Sequence, residues 1–344
     1  MTQTNFNQLL KQVSRSFYLS MRVLPKGMRQ PVAMAYLLAR AADSMTDSDE
    51  IDNKTRLSYL DNLLNDLVDK NAPNAVSIAL SLTVHISDKG EKKLIQNLPN
   101  IIHQFHALED EDKNQIKNVV TTLITGMQMD LTTFENTTTI TALKNQQTLE
   151  KYIYLVAGCV GEFWTISAVK HLPQVAQWDS ANQTQLGIEF GKALQLTNIL
   201  RDIAKDARLN RCYLPEKDLQ RNSLTTEMLL NKKNDVAFRP LIFKQLNLAL
   251  TYFESAEKYL FNTPRTTIRL RLGSIWPILI GLKTLELIAS KENFLDPEKN
   301  IKVQRKWVYS MLIRSLFIVQ SNTLLKLWIN QIKQNIKHLL QQKK

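Results

Sequence analysis

An all-α architecture in a single domain is predicted from three features of the chain. Only nine glycines and ten prolines interrupt 344 residues, a scarcity of breakers that suits long helices better than a sheet with many turns. Apolar residues recur with helical period from end to end, and strand-like alternation is absent over any useful length. With 44% hydrophobic residues the chain can fill one sizeable core.

Taken in order, the helical segments are 28–47, 55–70, 115–134, 149–170, 183–207, 240–261, 267–290, 302–320 and 323–341. In the first, Leu37, Leu38 and Ala41 pack beside a polar stripe. The fourth opens after Asn145 to Thr148 and the fifth after Ser180 to Asn182, both good helix starts. Pro215, Pro240, Pro264 and Pro297 fall near segment ends, where proline belongs. Segments 183–200 and 274–288 are apolar on most faces and are expected at the centre. No repeat, low-complexity block or flexible linker is visible.

Two cysteines, Cys159 and Cys212, are too few for a disulfide framework or a zinc cluster and fit a reducing compartment. No secretory signal is visible at the N-terminus. The apolar stretch from Trp307 to Val319 contains Arg314 and, at 13 residues, is too short to span a bilayer. Net charge is +12, and ten Lys and Arg with no acid follow Glu298. No nucleic-acid-binding motif accompanies this charge, so no nucleic-acid partner is expected. A basic tail at about 299–344 suits an anionic membrane surface, and a cytoplasmic protein peripheral at the inner membrane is expected. Leu325, Trp328, Ile329, Ile332, Ile336, Leu339 and Leu340 form an apolar stripe there, flanked by Lys326, Lys333, Lys337 and Lys344. Two readings are open: the stripe docks on the protein's own core, or it meets lipid.

Two acidic pairs are the candidates for chemistry, each a weak signal alone and more specific together. Asp43 and Asp47 lie four apart, and on a helix that step turns ~400° and rises ~6 Å, placing both carboxylates on one face. Tyr36 and Arg40 extend the stripe. Asp202 and Asp206 repeat the spacing, with Asn198 upstream on the same face and Arg201 adjacent. Gly187 and Gly191 continue that stripe, either for close helix approach or to leave room for a ligand chain. A solvent-facing helix end is the plain alternative for the first pair. Carboxylates do not bind a diphosphate directly, since like charges repel, but they bind it through Mg²⁺. That hard cation takes one or two carboxylates plus phosphate oxygens and then acts as a Lewis acid.

Several stretches together resemble the squalene/phytoene synthase family. They are Ser14-Arg15-Ser16-Phe17, Tyr36 to Asp47, Tyr152 to Gly161 (Tyr-Ile-Tyr-Leu-Val-Ala-Gly-Cys-Val-Gly), Leu194 to Asp202, and Arg211-Cys212-Tyr213-Leu214-Pro215. The resemblance covers roughly residues 10 to 320. It implies the isoprenoid-synthase fold with a central cavity, and head-to-head condensation of two identical allylic diphosphates. It also implies roles for individual residues. Asp43, Asp47, Asn198, Asp202 and Asp206 are the metal set. Ser14, Arg15, Phe17, Tyr36, Arg40, Gln195, Arg201 and Arg211 bind substrate. Tyr152 stands beside the reacting carbocation, whose charge an aromatic face stabilises. Without the motif Tyr152 reads as an ordinary buried tyrosine. Gly158 and Gly161 read as close helix packing. The chain departs from the family at Asp43-Ser44-Met45-Thr46-Asp47, which lacks extra acids, at Lys205 and at Met21.

The product expected is squalene, from two farnesyl diphosphates through presqualene diphosphate, with Mg²⁺ and NADPH. Ser14 to Phe17 with Leu24-Pro25 resembles that branch. So does Lys302-Val303-Gln304-Arg305, where Lys302 and Arg305 would meet the nucleotide; solvent or membrane charge is the equal alternative. Residues 194–198 and 211–215 resemble the phytoene branch, which, like dehydrosqualene formation, needs no reductant and takes a prenyl diphosphate of its own length. A non-catalytic helical assembly factor of the same fold predicts eroded aspartates, and all four are present. Head-to-tail prenyltransferases and terpene cyclases share the aspartate logic but not the Val-Ala-Gly segment.

Overall fold

The computed structural model describes all residues except 1–2, 15–16, 48–49, 136–137, 300 and 344; for 3–7 and 17–19 only the backbone is described. The fold is all-α, with 78% of residues helical and 2% in strands. It divides into two compact units, residues 1–132 with 163–173 and residues 133–162 with 174–344.

The first unit holds α1 (Gln3–Val13), α2 (Phe17–Val23), α3 (Lys26–Thr46), α4 (Asn53–Val68), α5 (Asn74–Leu82), α6 (Lys89–Gln96), α7 (Leu98–His106) and nearly all of α8 (Asp110–Thr133). Helix α3 packs on α4, α6 and α7. It buries Leu37, Leu38, Ala41, Ala42 and Met45, each larger side chain contributing roughly 1.5–3 kcal/mol on burial. Asp52 caps α4 and Asp88 caps α6 by accepting from backbone N–H groups of their first turns. The end of α10 (Cys159–His171) also belongs here: Lys170 and His171 reach Asp112 in the first turn of α8 at 2.8 and 3.0 Å.

The second unit is built on α11 (Ser180–Arg208), α13 (Asp235–Asn262) and α14 (Ile268–Ser290), with α15 (Arg305–Ile318) and α16 (Asn322–Gln342) packed against α14. Helix α14 is buried on most faces, as its composition predicts. Helix α9 (Gln146–Ile153) is capped by Asn145, which accepts from the Thr148 N–H at 2.9 Å. It continues through a π-helical turn, Tyr154–Gly158, into α10. The short α12 (Glu216–Arg221) follows the second strand.

Each of the nine expected segments holds a helix, most of them longer than the pattern suggested, whereas 302–320 is helical only over Arg305–Ile318. Three differences have physical reasons. Helix α13 starts at Asp235, so Pro240 sits in its second turn rather than at its start, and Pro31 and Pro277 also lie inside helices. A parallel pair of strands, β1 (Thr141–Leu143) and β2 (Arg211–Pro215), exists where no strand was expected; three and five residues are too few to show alternation. Helices α5, α6 and α7 went unread because eight or nine residues, broken at Asp88 and Asn97, do not establish a period.

The stripe of α16 is core. Leu325, Ile329, Ile332, Ile336 and Leu340 are buried and α16 lies on α14, so the docking alternative describes this face. Lys333 pairs with Glu257 at 2.8 Å rather than facing outward.

Candidate active site

Asp43 and Asp47 end α3 on the face that carries Tyr36 and Arg40. Asp47 caps the helix and still donates its backbone N–H to the Asp43 carbonyl at 3.1 Å, so helical spacing holds through the last turn. Both carboxylates are substantially open to solvent, whereas Arg40 is mostly covered. Arg40 pairs with Asp43 and lies 3.7 Å from Asp47 through the same nitrogen, while its other terminal nitrogen pairs with Glu91. Burial alone would lower the Arg40 pKa, but Asp43, Glu91 and Asp47 outweigh it and raise the pKa above its ordinary value. Arg40 is therefore a fixed cation inside an acidic cluster.

Glu91 was not legible in the sequence. Its place follows from the first turn of α6, where Asp88 accepts from the Gly90 and Glu91 N–H groups at 2.9 and 3.0 Å. Tyr36 donates its hydroxyl to the Val13 carbonyl at 3.0 Å, bringing the end of α1 to this face of α3. Ser14 is next in the chain and is buried, its hydroxyl donating to the Leu10 carbonyl at 2.5 Å. Arg15 and the Phe17 side chain lie outside the described residues.

In the second unit α11 carries Gln195, Asn198, Arg201, Asp202 and Asp206, all half-buried. Arg201 grips Asp202 with two parallel bonds, Nε to Oδ1 at 2.9 Å and Nη2 to Oδ2 at 2.5 Å, and donates from Nη1 to the Asn198 amide oxygen at 2.9 Å. The hydrogen bond to Asp202, opposed by burial and helped by the charges of Asp202 and Asp206, raises the Arg201 pKa. A carboxylate has about four acceptor positions, so the fork leaves Asp202 able to take a further ligand. Two residues past the end of α11, Asn210, with a φ of 60°, turns the chain into β2. That places the half-buried Arg211 at the strand's first position, in register with Thr141.

Tyr152 is buried, and its ring stacks on Tyr213 with centroids 5.0 Å apart and planes 23° apart. Phe134 meets Tyr213 edge-on at 5.1 Å. Tyr213 was read as part of a motif but not as a site residue; its signal was the five-residue stretch that became β2. The π turn begins two residues after Tyr152, a geometry frequent at functional sites. Close approach between this helix and α11 accounts for three of the glycines. A Cβ on Gly161 would lie 1.8 Å from the Gly187 carbonyl oxygen, and one on Gly191 would lie 2.2 Å from that of Ala157. A Cβ on Gly158 would lie 3.3 Å from the Ile188 side chain, so the packing reading of Gly158, Gly161 and Gly191 holds. Lys302 and Arg305 are exposed, just before and at the start of α15.

Among the described residues no three His, Cys, Asp or Glu side chains form a metal cage. The donor set is a pair of carboxylates in each unit, joined in the second by the Asn198 amide oxygen. Such a partial, all-oxygen set fits Mg²⁺, which commonly keeps waters and completes its shell from phosphate.

Residues 10–307 match the family model described as squalene/phytoene synthase. The 15-cis-phytoene synthase of Synechococcus elongatus is 28% identical over 320 residues, 90% of this chain and 88% of that protein. That of Synechocystis sp. is 26% identical over 326 residues, 88% and 81% of the two chains. The chloroplastic phytoene synthase of an Oncidium hybrid is 27% identical over 279 residues, and the match spans 57% of its length. Among solved structures, TcSQS in complex with BPH1237 superposes with a TM-score of 0.78 at 19% identity, covering 98% of this chain and 96% of that one. A dehydrosqualene synthase complex superposes with a TM-score of 0.65 at 22% identity, covering 92% and 96%. These two likenesses show the fold, the all-helical isoprenoid-synthase arrangement expected from the sequence.

Proposed function

Because this chain belongs to the squalene/phytoene synthase family, whose reaction is head-to-head prenyl condensation, we propose that it joins two identical allylic diphosphates and releases a hydrocarbon. The observation that carries the reading is the repeated device: a carboxylate pair one helical turn apart, Asp43 with Asp47 and Asp202 with Asp206, each with its own arginine. The two pairs converging on one substrate chamber is part of the proposal. Asp43, Asp47, Asn198, Asp202 and Asp206 would hold Mg²⁺, which when bound neutralises the leaving diphosphate as a Lewis acid. Arg40 and Arg201 supply fixed positive charge beside the same oxygens and would pair with phosphate as they now pair with carboxylate. The Tyr152 ring, held by Tyr213, offers a π face to the allylic cation. An apolar surround keeps water from quenching that cation.

The relatives named phytoene synthases favour a product formed from two geranylgeranyl diphosphates by departure of both diphosphates and loss of a proton, without a reductant. Squalene from farnesyl diphosphate and NADPH is the second reading, favoured by the exposed basic residues Lys302 and Arg305. One assay tests both: the purified chain with Mg²⁺ and either diphosphate, with and without NADPH, followed by mass spectrometry of the extracted hydrocarbon. Phytoene without NADPH supports the first reading, and squalene only with NADPH supports the second. Failure to release pyrophosphate from either substrate would remove the enzymatic proposal.

A further inference from the structure

Helix α15 is held by one face and leaves another bare. Met311 and Ser315 are buried, and Ser315 Oγ accepts from the Trp276 indole N–H of α14 at 2.8 Å. That contact fixes the rotation of α15, so its remaining apolar residues cannot roll inward. Tyr309, Ile313, Leu316 and Phe317 are 61%, 60%, 57% and 84% exposed. Their spacing of four, three and one places them along a single helical stripe. After the turn, Leu324 and Leu327 of α16 are exposed as well. The Arg314 guanidinium lies 4.3 Å over the Trp328 ring, so side chains of the two helices meet beside this turn.

The charge around the stripe has one sign. Lys302, Arg305, Lys306, Arg314 and Lys326 are all exposed, and no Asp or Glu occurs from residue 299 to the end. We propose that the outer face of α15, with the first turns of α16, is a docking surface for an anionic lipid bilayer. A helix with apolar residues on its outer side and basic residues around them suits the headgroup boundary, apolar side chains entering the acyl region and cations meeting lipid phosphates. A second copy of this chain is the poorer occupant, since a symmetric pairing would set like charges against each other. The lipid-facing surface therefore differs from the α16 stripe that the sequence singled out, and it does not depend on which hydrocarbon the enzyme makes.

Flotation of the full chain with vesicles tests this directly. Vesicles of phosphatidylcholine mixed with phosphatidylglycerol should carry the protein, pure phosphatidylcholine should not, and added salt should weaken the binding. Phe317→Asp should reduce the bound fraction about tenfold, and Lys306→Glu with Lys326→Glu should do the same on anionic vesicles only. Phe317, Lys306 and Lys326 are exposed, so an unchanged melting temperature is expected and reports that the fold is intact. No flotation with anionic vesicles, or undiminished flotation of Phe317→Asp, overturns the proposal. So does a dimer in size-exclusion chromatography that Phe317→Asp dissolves, which would assign the face to a second copy.

Discussion

Glu91 pairs with Arg40 across 51 positions of sequence and engages the guanidinium nitrogen that Asp43 and Asp47 leave over. The arginine is thereby held in one orientation beside the two carboxylates proposed to hold Mg²⁺. Glu91→Gln should keep a polar contact but lose the charge-assisted bond, worth about 1.5–3 kcal/mol. Product formation should fall roughly tenfold, with a higher Mg²⁺ requirement and a melting temperature close to the parent's. An unchanged Mg²⁺ titration would show that Arg40 needs no such support.

The aspartates should be far less tolerant. Asp43→Asn and Asp202→Asn each remove a charge that would anchor Mg²⁺ and release an arginine from its partner. Activity should drop by about two to three orders of magnitude in each, as for loss of a principal electrostatic group. Steady-state rates with pyrophosphate detection would measure this. Lys205→Ala, exposed on the same helix, should change little.

Gly161→Ala and Gly191→Ala test the close approach of helices in the second unit. Each Cβ would overlap a carbonyl oxygen, so the helices must separate, at a cost of about 1–3 kcal/mol or more. Urea denaturation should show that loss as a shifted midpoint. Ordinary tolerance at both positions would mean the backbones are not in contact.

Arg271 is fully buried and donates to the carbonyls of Val319, Leu260 and Thr263 at 2.8, 3.0 and 2.6 Å and to the Asn322 amide oxygen at 2.6 Å. Desolvation, with the neighbouring Arg265 charge, lowers its pKa to about 10. It ties the end of α13 to the turn between α15 and α16. Arg271→Leu should leave several buried carbonyls unpaired and destabilise the chain by about 3 kcal/mol or more. Hydrogen exchange should quicken first in α15 and α16.

Burial pushes the Cys159 and Cys212 thiols up to about 12. Both should resist a thiol reagent at pH 8 in the native protein and react once it is unfolded. The sign of the pH effect follows. Between the unfolded value near 9 and about 12 the native thiols keep protons that the unfolded chain has lost, so their stabilising contribution fades as pH rises through that window. Replacing both with alanine should flatten the alkaline decline in melting temperature.

The long helices were legible because their apolar residues repeat over many turns, as in α11 and α14. The aspartate pairs were legible because a step of four fixes the side on which a helical residue stands. Glu91 was not, because its neighbour Arg40 is brought near by tertiary packing and no local pattern encodes that. Tyr213 was half legible: its motif stood out, but its stacking on Tyr152 depends on the pairing of β1 with β2. Which face of the tail is left outward was not legible for a similar reason. Two helices in the tail carry apolar stripes, and only packing decides which of them is used up by the core.

The π turn from Tyr154 to Gly158 is in effect a phase shifter. One additional residue in the winding rotates everything beyond it by about 100° relative to Tyr152. Deleting a single residue there would let the helix run on as a regular spiral. Gly161 would then swing away from Gly187 and present a bulkier neighbour in its place. The aromatic ring and the glycine seam are thus set by the same local miscount, and a length change of one would cost more than most substitutions in this stretch.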